Sequence, residues 1–301
     1  MKKNVIFRSF GLKKVIGLVY ILSGLFIYCV VSAPRALAQG NLVIMPIRVV
    51  FDGGGGGKRT QELNLANTGN DTIKYLISVV QYRMMDDGTF ESITLPDPGQ
   101  NFADKNFRFF PQSVVLAPLD AQTIKIQLIN ISDLKPGEYR SHLYIRAVPD
   151  EKPLGETAAV TVKNGITIKL IPVYGISIPV IIRKGESTSN VTLSNSSLGI
   201  DPSEGSKLKM TFNRSGNMSV YGDITVDYIS EQGIKTRVGI ANGFAIYTPN
   251  KTRHFILNLD ENQKVNYHQG KLHVVYAAQP VVMSCCDIKT IKFAEGDLIL
   301  H

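Results

Sequence analysis

The sequence predicts an all-β protein built from two β-sandwich domains. Three observations support this prediction: many short segments alternate apolar and polar residues, turn residues separate them at short intervals, and almost no helical periodicity follows residue 38. Short strands with this spacing are typical of a sandwich. The chain of 301 residues is long enough for two such domains.

The first 38 residues predict an export signal. They contain six basic residues and no acidic one, then an apolar run at 15–31, then Ala36-Leu37-Ala38. A basic region, an apolar region and a small-residue site occur in this order in secretory signals, so we expect cleavage near Ala38. An uncleaved anchor helix is the alternative, because the apolar run is about as long as a membrane span.

The remaining charge and cysteines exclude two classes of protein. Without the six basic residues of the signal, 27 basic residues face 25 acidic ones, which gives no electrostatic basis for binding nucleic acid. Only Cys285 and Cys286 remain in the mature chain, and neighbouring cysteines rarely bridge each other. We therefore expect the apolar cores, not a disulfide framework, to stabilise the fold.

The predicted strands divide into two groups at the polar stretch 183–186. The first domain, 39–184, has predicted strands at 43–51, 62–65, 75–82, 113–116, 123–129 and 139–148. The second domain, 185–301, has predicted strands at 190–193, 207–212, 223–228, 243–247, 253–259, 270–276 and 289–293.

The segment 165–183 predicts a long last strand for the first domain. Its even positions are all apolar or proline: Ile166, Ile168, Leu170, Pro172, Tyr174, Ile176, Ile178, Val180 and Ile182. Pro172 and Pro179 cannot donate to a ladder, which predicts an edge strand. A long apolar edge is an aggregation hazard unless a partner covers it, and self-association is one way to cover it. A core strand with a kink at Gly175 is the alternative.

The first domain resembles the PapD-like periplasmic chaperones of pilus assembly. The similarity covers most of 41–186 in the expected order, whereas the second domain matches mainly in length and strand content. The matching segments are Ile47-Arg48-Val49-Val50-Phe51-Asp52-Gly53, Leu63-Asn64-Leu65-Ala66-Asn67-Thr68, Phe110-Pro111-Gln112, Leu116-Ala117-Pro118, Gln122-Thr123-Ile124-Lys125-Ile126, Gly137-Glu138-Tyr139-Arg140 and Ile181-Ile182-Arg183.

This resemblance implies a fold and a function. The fold is two immunoglobulin-like sandwiches in a boomerang arrangement. The function is that of a periplasmic chaperone, without enzymatic activity, which binds pilus subunits by donor-strand complementation. The implied partners are the pilus subunits and an outer-membrane usher, to which the subunits are delivered for assembly.

The resemblance also implies residues that hold a subunit's C-terminal carboxylate in the cleft between the domains. Arg48 stands at the position of an arginine that binds this carboxylate, and a planar guanidinium suits a carboxylate because it can donate two parallel hydrogen bonds. The second anchor of the family is a lysine, but Pro179 occupies its position, so Lys184 is the candidate substitute. Glu138 and Arg183 match an ionic brace near the same cleft.

The donated face of the long strand follows from the same alignment. It comprises Ile166, Ile168, Leu170, Pro172 and Tyr174, whose side chains are expected to enter the subunit's groove. Strand addition obtains affinity from main-chain hydrogen bonds and specificity from alternate side chains. Ile171 and Val173 lie on the opposite face and are expected to cover the chaperone's own sandwich.

Two other classes of function compete with this prediction. A secreted adhesive or pilus structural protein is the first, but a pilus subunit would be expected to lack its own last strand, and 165–183 supplies one. An enzyme is the second, yet the five histidines form no His-x-x-x-His motif and no Gly-x-Ser-x-Gly elbow occurs, so we expect no catalysis, cofactor or metal. A soft-metal site of His268, His273, Cys285 and Cys286 remains an open alternative.

We predict that replacing Ile168 and Leu170 together by Thr abolishes complex formation with a pilus subunit. The melting temperature of the free protein should hardly change, because side chains that enter the subunit contribute little to the chaperone's own core. Subunit pull-downs and thermal melts check this expectation. A large fall in melting temperature would show that these residues belong to an ordinary core strand.

Overall fold

The structure, a computed structural model, describes residues 42–148, 173–201, 205–261, 265–279, 281–282, 288–289 and 291–300. Among these residues, strands dominate and the one helical element is a 3-10 turn at Asp104–Asn106, which confirms the all-β prediction. No helix of the described part is long and apolar enough to cross a membrane. The predicted signal at 1–38, the predicted donor residues from Ile166 to Pro172, and Cys285 and Cys286 lie outside the described residues.

The first sandwich consists of two facing sheets with strand orders β1-β3-β9-β7 and β2-β11-β10-β4-β8, and a short hairpin β5-β6 extends from it. Its strands are β1 Leu42–Met45, β2 Val49–Asp52, β3 Thr60–Asn67, β4 Ile73–Val80, β5 Tyr82–Met84, β6 Phe90–Ser92, β7 Phe107–Phe110, β8 Ser113–Leu116, β9 Ala121–Leu128, β10 Gly137–Val148 and β11 Gly175–Lys184. In the strands of the two facing sheets, alternate residues, such as Leu63 and Leu65 of β3, point into one apolar core.

The second sandwich has the sheets β12-β13-β16 and β15-β14-β17-β20, and a further pair is β18-β19. Its strands are β12 Asn190–Asp201, β13 Gly205–Ser215, β14 Val220–Ile229, β15 Lys235–Ile246, β16 Thr252–Asn258, β17 Lys271–Ala277, β18 Val281–Val282, β19 Ile288–Lys289 and β20 Lys292–Ile299. Its core contains a cluster of aromatic rings in which Phe244 lies 4.8 Å from Phe212 and 5.4 Å from Tyr276 between ring centroids. The change from one sandwich to the other falls between Lys184 and Asn190.

The segment predicted as one strand at 43–51 is two strands in different sheets. β1 pairs with β3 in one sheet, and β2 pairs with β11 in the other. Pro46 follows β1 directly and has no N–H to continue a ladder, so the chain crosses between the sheets at residues 46–48. The crossing places Arg48 at the start of β2.

β11 is an edge strand over only part of its length. It pairs with β10 from Gly175 to Lys184, but β2 covers its other side at Val180–Arg183. The edge predicted for the whole of 165–183 is therefore wrong at Val180–Arg183, because the crossing of the first strand supplies a neighbour there. Within the described residues, the segment Gly175–Pro179 keeps one open side.

The side chains of β11 alternate between two apolar environments. Ile178, Val180 and Ile182 lie in the core of the first sandwich, whereas Ile181 packs on the opposite face with residues of the second sandwich. Val173 precedes the strand and is 42% exposed, so the expectation that it covers the first sandwich is wrong. The ladder that imposes alternation begins only at Gly175 and does not reach Val173.

Candidate functional site

A cleft of about 490 Å³ lies between the two sandwiches. The first sandwich contributes the strand crossing, the β5-β6 hairpin, β10 and β11, and the second contributes β14, β15 and β16. The lining residues are Ile47, Arg48, Tyr82, Met84, Gly88, Phe90, His142, Ser177, Pro179, Tyr221, Gly243, Ala245, Tyr247 and Arg253.

One face of β10 and β11 explains why these residues meet. The odd residues of β10, such as Leu143 and Ile145, enter the core of the first sandwich. The even residues Glu138, Arg140 and His142 therefore point the other way. They are buried because the second sandwich covers this face, together with the β5-β6 hairpin at His142. This polar face is continuous with β11, since Glu138 pairs with Arg183 and His142 pairs with Pro179 in the ladder.

Arg48 carries a positive charge at one wall of the cleft without the usual partners. Its guanidinium carbon lies 4.2 Å from the centroid of the Tyr221 ring, and its Nε and Nη2 atoms are buried with no hydrogen-bond partner. Burial lowers the pKa of Arg48, and the nearby Arg183 lowers it further. An unpaired buried donor costs free energy, so this guanidinium favours an acceptor that enters the cleft.

Arg140 lies behind the cleft and repeats this arrangement. It is almost fully buried, donates from Nη2 to the backbone oxygen of Thr248 at 3.1 Å, and lies 4.3 Å from the centroid of the Tyr247 ring. Its Nε and Nη1 atoms have no partner, and burial lowers its pKa. Among the cleft-lining residues there are two arginines, Arg48 and Arg253, and no Asp or Glu. The cleft is therefore suited to an anion.

Glu138 connects the two sandwiches through a buried carboxylate. Its Oε2 atom accepts from Arg183 Nε at 3.1 Å, from the Ser219 backbone N–H at 3.0 Å and from Ser219 Oγ at 2.6 Å. Thr248 Oγ1 donates to Oε1 at 3.4 Å, and Arg183 Nη2 donates to the Ser219 backbone oxygen at 2.7 Å. The Glu138 side chain is 0% exposed, so this ion pair differs from an exposed brace, which contributes about 0–1 kcal/mol.

The other residues predicted for the site lie in different places. Lys184 is not brought to the cleft, because its ammonium donates to the backbone oxygens of Ile131 at 3.2 Å and Ser132 at 2.8 Å in the first sandwich. Pro179 does line the cleft. Tyr174, the one predicted donor residue within the described part, lies just before β11 and is 54% exposed.

Sequence reasoning missed the aromatic wall and several of the buried polar groups. Tyr221, Tyr247 and Arg253 come from the second sandwich, where no motif marks them. His142 and Arg140 had a usable signal, because polar residues occupy every second position from Glu138, directly before the strand predicted at 139–148, through Arg140 to His142. Such a polar face on a strand with an apolar core face indicates burial by a further polar surface.

His142 is held neutral by its surroundings. Its ring lies 5.1 Å from Tyr82, 5.8 Å from Phe90 and 6.5 Å from Tyr247 between centroids. Burial, and to a smaller extent the charge of Arg140, lower the pKa of His142 to about 3. Its Nδ1 atom has no hydrogen-bond partner.

No cluster of three or more His, Cys, Asp or Glu side chains suited to a metal occurs among the described residues. His273, considered above for a soft-metal site, instead pairs through Nδ1 with Asp297 Oδ1 at 2.6 Å. Cys285 and Cys286 lie outside the described part, so the alternative that includes them stays a prediction.

Comparisons with known proteins gave matches only among solved structures. No family model and no curated protein matches the chain. The similar solved structures include the YadV chaperone, with 13% identity, a TM-score of 0.41, and coverage of 86% of this chain and 100% of that one. The Pseudomonas aeruginosa CupB2 chaperone has 14% identity and a TM-score of 0.39, and the match covers 86% of this chain and 100% of that one. The Salmonella enterica SafA pilin in complex with the SafB chaperone has 14% identity and a TM-score of 0.38, with coverage of 86% of this chain and 96% of that one. These identities and TM-scores are too low to assign a function.

We predict that Glu138→Ala lowers the free energy of unfolding by about 3 kcal/mol or more, because Arg183 and the Ser219 N–H and hydroxyl groups lose a buried acceptor. Glu91→Ala is the matched control, since Glu91 pairs with Arg83 at the surface and should contribute at most about 1 kcal/mol. Urea unfolding of both variants measures the difference. Equal effects would contradict a structural role for the buried carboxylate.

We predict that His142 makes the protein less stable as the pH falls from 6.5 towards 3. The unfolded chain takes up a proton below pH 6.5, but the folded protein does not until the pH approaches 3, so the stability is complete above pH 6.5 and falls below it. Between pH 7 and pH 5 this proton uptake lowers the free energy of unfolding by about 2 kcal/mol.

His142→Gln should remove that part of the pH dependence, whereas His268→Gln, at an exposed position, should retain it. Urea unfolding at pH 7 and pH 5 measures both variants and the parent. The same pH dependence in His142→Gln as in the parent would show that the ring is accessible to protons in the folded state.

Proposed function

We propose that this protein is a periplasmic chaperone that binds pilus subunits by strand addition, with the subunit's C-terminal carboxylate held by Arg48. The observation that carries the proposal is the position of the open edge of β11. This edge, Gly175–Pro179, ends where β2 begins, and Arg48 is the residue directly before β2. A hydrogen-bonding edge and an unpaired guanidinium thus meet at one point of the cleft.

The direction of an added strand follows from the pairing of β2. On this side of β11, β2 runs parallel to it and starts at the pair Val180 and Val49. A strand that pairs with Gly175–Pro179 on the same side lies in line with β2. If it is parallel to β11, its carboxyl end faces Arg48; if it is antiparallel, its amino end does. A guanidinium attracts a carboxylate and repels an ammonium group, so the parallel C-terminal strand is favoured.

Exposed apolar side chains surround the open edge. Ile176 in the edge is 38% exposed, Tyr174 just before it is 54% exposed, and Ile47 at the strand crossing is 62% exposed. Burying a large apolar side chain contributes about 1.5–3 kcal/mol, so a partner that covers these residues gains affinity in addition to the main-chain bonds. Our proposal extends this surface to Ile166, Ile168, Leu170 and Pro172, the preceding residues of the alternating segment.

The cleft chemistry supports binding rather than catalysis. Ser177 and His142 both line the cleft, but Ser177 Oγ and His142 Nδ1 each lack a hydrogen-bond partner and therefore do not bond each other. A nucleophile and its base need such contact. A chaperone that acts by binding, without a cofactor, and passes its subunit to an outer-membrane usher is consistent with this site.

A peptide with alternating Val and Thr residues, ten residues long and with two N-terminal lysines for solubility, tests the proposal. We predict that the free-carboxylate form binds about 10- to 150-fold more tightly than its C-terminal amide, since charge-assisted hydrogen bonds contribute about 1.5–3 kcal/mol. Arg48→Ala should remove most of this difference while the protein remains folded. Fluorescence anisotropy with labelled peptides measures both affinities.

Arg108→Ala is the matched control for the arginine, because Arg108 is exposed on β7 and donates to Gln127. It should keep the preference for the carboxylate. Equal affinity of the parent protein for the carboxylate and the amide would refute a carboxylate site at Arg48. Recovery of normal amounts of pilus subunit from the periplasm with Arg48→Ala would refute it as well.

A further inference from the structure

A second guanidinium with an unpaired N–H group lines the cleft from the opposite sandwich. Arg253 belongs to β16, and its Nε atom is buried without a hydrogen-bond partner, as are Nε and Nη2 of Arg48. The β11 residues that line the same cleft, Ser177 and Pro179, carry no charge. Among the described lining residues, Arg48 and Arg253 are thus the cations, one from each sandwich.

The guanidinium of Arg253 is held in place by contacts on both sides and does not extend into solvent. Its guanidinium carbon lies 4.1 Å from the centroid of the Phe244 ring, and Nη1 donates to the backbone oxygen of Ala245. On its other side lies Gly88 at the tip of the β5-β6 hairpin, where φ is +89° and an added Cβ atom would come within 2.3 Å of Nη2. Glycine is therefore required for this close approach.

A backbone hydrogen bond links the β5-β6 hairpin to β16 and fixes the hairpin next to Arg253. The backbone N–H of His254 donates to the backbone oxygen of Asp86 at 2.7 Å, one residue along from Arg253. A planar cation between a ring and a backbone surface loses little conformational freedom when it binds a ligand, so its free Nε–H is preorganised.

No carboxylate of the described residues neutralises Arg253 by direct pairing. Asp87, on the hairpin, is the acidic group whose charge acts on it, but this carboxylate accepts from the N–H and the hydroxyl of Thr89 at 2.9 and 2.6 Å. Burial lowers the pKa of Arg253, which reflects the cost of a desolvated charge without an anion.

We propose that Arg253 is the second carboxylate-binding residue of the cleft, so that a guanidinium from each sandwich holds the same carboxylate-bearing chain end. This inference rests on the proposed function and adds the residue that completes the anion site. Binding then depends on both sandwiches, because each of them contributes one of the two cations. It also gives the β5-β6 hairpin a role as the element that positions Arg253.

NMR signals of the arginine Nε–H groups test the proposal directly. The probes are N-acetylvaline, with one carboxylate, and N-acetylaspartate, with two, and the uncharged control is N-acetylvalinamide. We expect saturable shifts of the Arg48 and Arg253 signals with at least one of the carboxylates, at the same dissociation constant, and none with the amide. The signal of Arg237, which already pairs with Asp227 outside the cleft, should not move.

The outcomes separate this inference from the proposed function. If Arg48 responds and Arg253 does not, Arg253 is no ligand and the inference fails, while the carboxylate site at Arg48 stands. If neither arginine responds, the inference fails together with the carboxylate site. If both respond with the same constant, both proposals are supported.

Substitution supplies a second measurement. Arg253→Lys keeps the charge but loses the planar fork, and it should weaken binding of the alternating Val and Thr peptide about tenfold while the melting temperature stays close to that of the parent. Arg237→Lys is the matched control and should change the affinity less than about twofold. An unchanged affinity in Arg253→Lys would overturn the proposal.

Discussion

The cleft depends on one buried carboxylate. Glu138 lies on the face of β10 that points away from the core of its own sandwich, and its oxygens accept hydrogen bonds from Arg183 of the first sandwich and from Ser219 and Thr248 of the second. A carboxylate can be buried only if nearly all of its acceptor positions are filled. Both sandwiches must therefore be present together, and this requirement holds the two walls of the cleft against each other.

Three arginines in or behind the cleft differ from Glu138, because some of their buried N–H groups have no hydrogen-bond partner. Arg48, Arg140 and Arg253 each stack on an aromatic ring, at 4.1 to 4.3 Å between guanidinium carbon and ring centroid, yet each keeps buried N–H groups without partners. Stacking recovers part of the cost of removing the charge from water, but it does not satisfy the N–H groups. Under the proposed function, the unsatisfied N–H groups of Arg48 and Arg253 lower the stability of the free protein but need no rearrangement to bind an anion.

Alternation of apolar residues was sufficient to predict the all-β class and most strands, because each strand of an antiparallel sandwich buries one face. The pattern could not show that the segment at 43–51 divides between two sheets, since Ile44, Val49 and Phe51 are buried in the same core from either sheet. That division supplies the neighbour that covers Val180–Arg183, so the predicted edge was too long.

The prediction of the site was limited in the same way, because it used only motifs and residues that are near one another in the sequence. Arg48, Glu138 and Arg183 were identified from motifs within the first domain, whereas Lys184 was chosen because it is near in sequence, and its ammonium bonds carbonyl groups of its own sandwich instead. Tyr221, Tyr247 and Arg253 reach the cleft only through packing of the second sandwich against the first. No local pattern encodes such packing, so sequence reasoning had no means to find these residues.

The parallel pairing of β2 with β11 has a consequence for timing. Because β2 already pairs with Val180–Arg183 of β11, a strand added at Gly175–Pro179 cannot extend its pairing beyond Pro179. An internal segment of a polypeptide would have to turn away from the sheet at this point, whereas a strand at the end of a chain need not. Under the proposed function, the site therefore favours a subunit whose final residue has already crossed the membrane and is free.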